Sequence, residues 1–243
     1  MNPTLTIARR EFRSYFDSPL AYVVICLSLL MLGVRVFIWN KFWQVDRATL
    51  ASMFEAIPFG LAFLIVPVVT MRLVAEEKRS GTLEMLITLP VRDSDVILGK
   101  FLGALGLVLV LILATIIYPL LMFSFVWHLG PLDHGPVVSG YVGLVLFSGA
   151  AVSLGLLVSS LTESQVIAFF ITFILLVALL FVGELSQHVP NALGTVFREI
   201  SFMEHFMPFQ RGLIDTRDVV FFLSCAVLAL IFAFRALESR KWT

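Results

Sequence analysis

The side chains of this chain that could do chemistry gather in one stretch. It reads Arg72-Leu-Val-Ala-Glu76-Glu77-Lys78-Arg79-Ser80-Gly81-Thr82-Leu83-Glu84-Met85-Leu86-Ile87-Thr88-Leu89-Pro90-Val91-Arg92-Asp93-Ser94-Asp95 and runs on to Gly99-Lys100. The first half is a charged helical pattern. Ser80-Gly81 interrupts it, because glycine permits a sharp turn. Thr82–Leu89 then fits a short second helix, with Leu83, Leu86 and Ile87 on one face and Glu84 and Thr88 elsewhere. Pro90 stops it, and Asp93-Ser94-Asp95 offers N-cap chemistry to the helix that follows. A plain loop could be much shorter and need carry no amphipathic pattern. The expectation is a helical elbow over 75–95 of the kind that docks into a groove on another protein.

The ingredients of catalysis are missing elsewhere. There is no G-x-x-x-x-G-K-[ST] phosphate loop, so the chain cannot bind ATP by that route, and there is no H-E-x-x-H or C-x-x-C. His128, His134, His188 and His205 stand at scattered spacings and read as surface or interfacial residues, with no metal expected. Ser148 and Ser153 lie in an apolar run beside Gly149 and Gly155, but no histidine lies within such a run to act as base. Small residues for helix packing explain them better: Gly149/Ser153, Ala151/Gly155/Ser159 and Gly99/Gly103 are small-x-x-x-small sets. Cys26 and Cys225 lie inside apolar runs and read as packing residues, not as a disulfide framework. The chain is expected not to be an enzyme and to bind no cofactor itself.

The elements that must position the charged stretch are membrane spans. Six apolar runs divide the chain: Leu20–Trp39, Phe54–Val74, Phe101–Trp127, Tyr141–Leu161, Val166–Gly183 and Val219–Ala236. Crossing a bilayer's hydrocarbon takes about 20 apolar residues of helix, and the backbone there must satisfy itself. Hydrophobic residues form 59% of the 243 and charged residues 14%, with mean hydropathy +0.98. The expectation is an all-α, multi-pass membrane protein of one domain, 1–243. An even number of spans puts both termini on one side. Arg9, Arg10 and Arg13, the Arg72–Lys100 segment, and Arg235, Arg240 and Lys241 outweigh Lys41, Arg47, Arg198, Arg211 and Arg217. The basic-residue bias therefore makes both termini and the elbow cytoplasmic. No basic stretch is long enough for nucleic acid. Arg9-Arg10 reads as an anchor that holds the N-terminus inside, and no cleavage site follows it. Arg35 is the clear intramembrane charge. Two readings stand for it: snorkelling to the interface, or an ion pair with Glu55 at similar depth. Intramembrane carboxylates are otherwise scarce and the halves show no inverted repeat, which disfavours an ion-coupled carrier.

Glu76-Glu77-Lys78-Arg79-Ser80-Gly81-Thr82-Leu83-Glu84-Met85-Leu86, then Leu89-Pro90-Val91 and Gly99-Lys100, resembles the permease subunits of ABC-2-type transporters. Ser159-Ser160-Leu161-Thr162-Glu163-Ser164-Gln165 fits the same family. Glu204-His205-Phe206 and Arg211-Gly212-Leu213-Ile214-Asp215 bring the chain near its gliding-motility branch. The resemblance implies two permease chains, the same or related, around a central path. Each would dock one cytoplasmic ATP-binding cassette subunit, two copies in all, which would carry ATP and Mg. It implies docking through Glu76, Glu77, Lys78, Arg79, Gly81, Thr82, Leu83, Glu84 and Leu86, with a second cytoplasmic loop at Thr162, Glu163 and Gln165. It also implies an interfacial N-terminal helix over 1–18. There Leu5, Ile7, Phe12 and Phe16 would face lipid while Arg9, Arg10 and Arg13 met anionic headgroups.

The segment 184–218 is too long and too apolar for a plain loop. The resemblance implies a re-entrant helix pair on the external side, with His205, Phe206, Arg211 and Gly212 at an external gate; the other reading is a helix lying flat on the interface. The function expected is the permease of an exporter in the bacterial inner membrane, moving a lipid-linked or amphiphilic substrate outward. The alternative is a membrane anchor or force-coupling subunit of a gliding-motility or envelope machine that moves no solute.

Overall fold

The computed structural model describes residues 2–39, 50–81, 92–124, 134–186 and 191–239, and every regular element among them is helical. The chain opens with α1, Pro3–Asp17. Proline suits a first helical turn, where its missing N–H has no partner to lose. The helix stops at Ser18, extended at φ −104° and ψ 144°, the conformation that a following proline imposes. Pro19 opens α2, Pro19–Gly33, and α1 and α2 are bent by 73° from each other. A π-helical segment, Val34–Trp39, carries α2 onward, so the first apolar run is helical over its length.

The second span is α3 (Ala51–Gly60), a π-helical segment (Leu61–Ile65) and α4 (Val66–Thr70). Pro58 cannot donate to the carbonyl of Phe54, one helical turn back. Gln210 Nε2 donates to that oxygen instead, at 3.4 Å. The span runs on into the charged stretch, as its sequence leads one to expect, and Met53–Arg79 makes one candidate span, with a local irregularity on the way. A turn at residues 71–74 intervenes before α5, Ala75–Arg79. Side chains from other helices hold that turn. The Tyr15 hydroxyl donates to the Val69 carbonyl at 3.0 Å, and the Val74 and Ala75 amides donate to Ser159 Oγ at 3.1 and 3.2 Å. Burial, with Glu11 nearby, pushes the Tyr15 phenol up from its ordinary value, so it serves as a neutral donor. Gly81 ends α5 with φ +71°, a left-handed position that favours glycine.

The third span is α6, Asp93–Ala114, continued by α7, Ile117–Ser124. Thr115 Oγ1 donates to the Ile112 carbonyl at 2.7 Å, and its oxygen lies 3.2 Å from the Tyr141 hydroxyl. Back-bonding of this kind bends helices. The aspartates do not cap α6: Arg92 holds the N-cap position without a side-chain bond. Asp95 instead accepts from Thr4 Oγ1 at 2.7 Å, which turns a cap residue into a tie to α1. The rest is α8 (His134–Leu161), α9 (Gln165–Leu185), α10 (Asn191–Ile200), α11 (Phe202–Gln210) and α12 (Thr216–Glu238).

Side-chain contacts give the spans their alternating directions. Residues near the start of α6 meet α1, the last turn of α8 meets α5, and Phe222 of α12 meets Phe147 and Phe202. The described ends of the chain therefore share one end of the bundle, termed basal here; α11 lies at the other, distal end. Among the described residues five helices, Met53–Arg79 being one, are long and apolar enough to cross a membrane, and the bent pair α1–α2 would make a sixth span. The protein is an all-α membrane protein. α8 is the central helix and is buried along most of its length. α9 buries Ala168, Thr172, Leu176, Leu180 and Gly183. It leaves Val166, Ile167, Phe170 and Ile174 exposed, the pattern of a span with one face to hydrocarbon.

Glycines let the helices approach closely in particular places. A Cβ on Gly99 would lie 2.7 Å from Ile7 Cβ, and one on Gly103 would lie 2.6 Å from Glu11 Cβ. The partner of this glycine pair is α1. Ile7 therefore packs on α6 and does not face lipid, whereas Leu5 is exposed. Gly155 meets Thr70 in the same way, but nothing lies within 4 Å of Gly149. Cys26 is exposed and so does not fill the core, and Cys225 is half-buried. Arg35 and Glu55 are both exposed, and no ion pair joins them among the described residues. Equal depth fixes height but not direction around a helix: α3 buries Met53, Phe54 and Ile57, which turns Glu55 away from that face.

Gly103→Ala should crowd Glu11 Cβ at 2.6 Å and Ala8 O at 3.1 Å and cost about 1–3 kcal/mol. Gly149→Ala, with open space around it, should be neutral or stabilising by up to about 1 kcal/mol. Unfolding midpoints of the two variants in detergent check the difference.

Candidate functional site

The basal end is built around one buried cation. Lys100 lies in the second turn of α6 and is 1% exposed. Its Nζ is 2.7 Å from Glu77 Oε1 of α5 and 3.2 Å from Glu11 Oε1 of α1. Arg10 closes the cluster, 3.0 Å from the same Glu11 oxygen and 3.9 Å from the same Glu77 oxygen. Two carboxylates meet the buried ammonium, and Arg10, 58% exposed at its side chain, balances them from the solvent side. Each element presents its member for a local reason. The glycines of α6 bring α1 close enough for Glu11 to reach, and α5, the last part of the span Met53–Arg79, carries Glu77 beside Lys100.

Two further ties hold α5. Lys78 Nζ donates to the Ser160 carbonyl, and the Ser159 hydroxyl accepts the two amides that enter α5. The charged residues of the elbow therefore divide. Glu77 and Lys78 face the bundle, while Glu76, Arg79 and Gly81 are exposed. Thr162, Glu163 and Gln165 lie at the turn between α8 and α9, beside Ser159 and Ser160, so the two expected loops share the basal end. Thr162 Oγ1 donates to the Val158 carbonyl at 3.2 Å, and Glu163 is exposed. Thr82, Leu83, Glu84 and Leu86, with the expected helix Thr82–Leu89, lie outside the described residues. Sequence reasoning missed Glu11 and Lys100 as site residues. The available signal was that Lys100 is the one charged residue between Asp95 and Asp133.

At the distal end, α10 and α11 pack against the bundle. Ser201 caps α11 by accepting from the Glu204 amide at 3.4 Å. His205 Nδ1 lies 2.7 Å from Asp218 Oδ1 of α12, Nε2 lies 3.1 Å from the Glu199 carbonyl, and the ring stacks on Phe221 at 3.9 Å. Both ring nitrogens thus lie within hydrogen-bond reach of oxygen atoms from other turns of the chain. Phe206 is fully buried against Phe147, and Ser139 Oγ donates to the Phe209 carbonyl at 2.7 Å. Arg211 is exposed, and Gly212 turns at φ +89° beside Pro136. His205, Phe206, Arg211 and Gly212 thus fall together, as one corner between α11 and α12.

No hydrolytic machinery is assembled from the sequence's candidate serines. Ser148 donates to the Leu144 carbonyl and Ser153 to the Ala150 carbonyl of their own helix. Among the described residues no group of three His, Cys, Asp or Glu side chains could hold a metal ion. What the basal end can do is transmit: one short helix exposes charge outward while it is bonded inward to α1, α6 and α8.

Asp218→Ala should leave His205 Nδ1 without its partner and cost about 1–3 kcal/mol, whereas Asp215→Ala removes a surface cap worth about 1 kcal/mol. The double variant His205→Ala/Asp218→Ala should cost less than the two single variants summed, as a thermal double-mutant cycle would read.

A comparison with curated proteins finds no match. The family model described as "ABC-2 family transporter protein" matches residues 5–213, from α1 through α11. That is most of the 243 residues, and the chain belongs to the ABC-2 family of transporter proteins, membrane permeases that work with an ATP-binding cassette partner.

Proposed function

We propose that this chain is the permease of an ATP-driven exporter and that its cytoplasmic ATP-binding subunit docks on the elbow that begins at α5. The observation that carries the reading is the division of α5: Glu76 and Arg79 are exposed, while Glu77 and Lys78 are bonded to the bundle. A helix so anchored can receive a push and pass it on. The chain lacks a phosphate loop of its own, so ATP and Mg belong to the partner. Two permease chains, each with one ATP-binding subunit, would form the working unit in the inner membrane. The basic-residue bias supports a cytoplasmic basal end.

The distal corner supports the outward gate. α11 lies with Phe206 and Phe209 against Gly143, and Phe202 against Phe147. By helical rise Gly143 is about 13 Å and Phe147 about 20 Å along α8 from its distal end at His134. An α10–α11 pair re-entering the outer leaflet fits these depths better than a helix lying flat. The apolar, Phe-rich spans favour a lipid-linked or amphiphilic substrate. Glu204-His205-Phe206 supports the gliding-motility branch. If the chain instead couples force in a larger machine, ATP turnover will not respond to added amphiphiles.

Leu83→Asp should release the ATP-binding subunit from the membrane, since an apolar anchor of this kind is worth about 2 kcal/mol or more, while the permease still inserts. Co-purification at the wild-type level would place docking elsewhere. For topology, Cys substituted at Asp133 or Asp215 should react with impermeant thiol reagents from outside sealed cells; reaction from the cytoplasmic side alone would reverse the orientation.

A further inference from the structure

α5 is a five-residue helix with a turn on each side, at 71–74 and at Gly81. The backbone nonetheless runs from α4 into α5 within one span, Met53–Arg79, and side-chain bonds tie α5 to the neighbouring helices. Among them, the contact to Lys100 is charged at both ends and largely withdrawn from solvent. Lys100 Nζ is 2.7 Å from Glu77 and 3.2 Å from Glu11. Charges in a medium of low effective dielectric attract strongly, and an ammonium buried to 1% exposure cannot be left without carboxylates. Parting Glu77 from Lys100 would expose that cost, whereas moving α5, α6 and α1 together would not. α1 is bound to the same body by the Gly99–Gly103 approach and by Thr4–Asp95 at 2.7 Å. It reaches the second span through the Tyr15 bond to Val69 at 3.0 Å.

We infer that Lys100 is the positioning residue through which the elbow drives the membrane helices, by holding Glu77 of α5 and Glu11 of α1 in one buried cluster. The second span receives the stroke along its own backbone, and the base of the third span and the N-terminal helix receive it through the cluster. The inference rests on the reading of this chain as an ATP-driven permease.

The test uses the complex of permease and ATP-binding subunit in lipid nanodiscs, with a single reactive Cys placed at Leu213, which is 63% exposed at the distal end; Cys26 and Cys225 are replaced by Ala. The rate of thiol labelling at that Cys is read with ATP and Mg and with ADP. The parent complex should label at two different rates in the two nucleotides. Lys100→Met should lose the difference while still co-purifying with the ATP-binding subunit, and Lys100→Arg should keep it. Lys100→Met alone leaves two buried carboxylates short of a cation and could fail to fold. The variant Lys100→Met/Glu11→Gln/Glu77→Gln removes the buried ammonium and both its carboxylates, leaves only the solvent-exposed Arg10 without a partner, and should also lose the difference. If that triple variant keeps the nucleotide-dependent difference, the cluster serves stability alone and the inference is overturned. A parent complex that forms but labels identically in both nucleotides overturns it as well. Failure of the parent permease to co-purify with any ATP-binding subunit would instead overturn the reading of the chain as an ATP-driven permease.

Discussion

An ammonium group has been taken out of water at the basal end, and the arrangement there follows from that constraint. An ion of this size pays several kcal/mol to leave water even after relaxation, so it must be met by opposite charge and good geometry. Lys100 is met by Glu11 and Glu77, which come from helices that are distant in sequence. α1 must therefore lie on α6, which requires the glycines at 99 and 103. α5 continues the second span past the turn at 71–74 and so carries Glu77 to the ammonium. The turn frees backbone groups, and Tyr15 and Ser159 satisfy them.

The same logic recurs wherever a span is broken. Pro58 leaves the Phe54 carbonyl without its helical donor, and Gln210 supplies one. Phe209, at the end of α11, gives its carbonyl to Ser139. In hydrocarbon no water can fill these vacancies, so each break obliges a contact with a neighbouring helix. The breaks are thus points at which the bundle is tied together, and they lie toward its two ends, where a transporter must move.

Much of this fold was legible in the sequence, because the requirement for about 20 apolar residues per span leaves long runs that nothing else explains. The six runs of the sequence coincide with α2, α3–α4, α6–α7, α8, α9 and α12. The turn at Ser80-Gly81 was legible from glycine alone and is present as φ +71°. The π-helical segments were not, since a widened hydrogen-bond ladder needs no special composition. The cluster at Lys100 was not legible either. The isolation of Lys100 between Asp95 and Asp133 marks it as unusual, but nothing in the spacing names Glu11 and Glu77 as its partners. Glu55 and Arg35 show the converse, for matched depth did not bring them together. Asp218 stands at the head of an apolar run, where an N-terminal aspartate is ordinary. Only the packing of α11 makes it the partner of His205.

The central claim is that α1 and α5 move as one body with the base of α6. The most direct measurement is the distance between spin labels at Ser80 and Thr6, both exposed, by pulsed dipolar spectroscopy on the permease–ATPase complex in bilayers. The account predicts one unchanged distance distribution in the nucleotide-free and ATP-bound states, while the distance from Ser80 to a label at Leu213 shifts. A Ser80–Thr6 distance that lengthens on ATP binding would contradict it, because the elbow would then be moving away from the helix that the buried charges are said to hold against it.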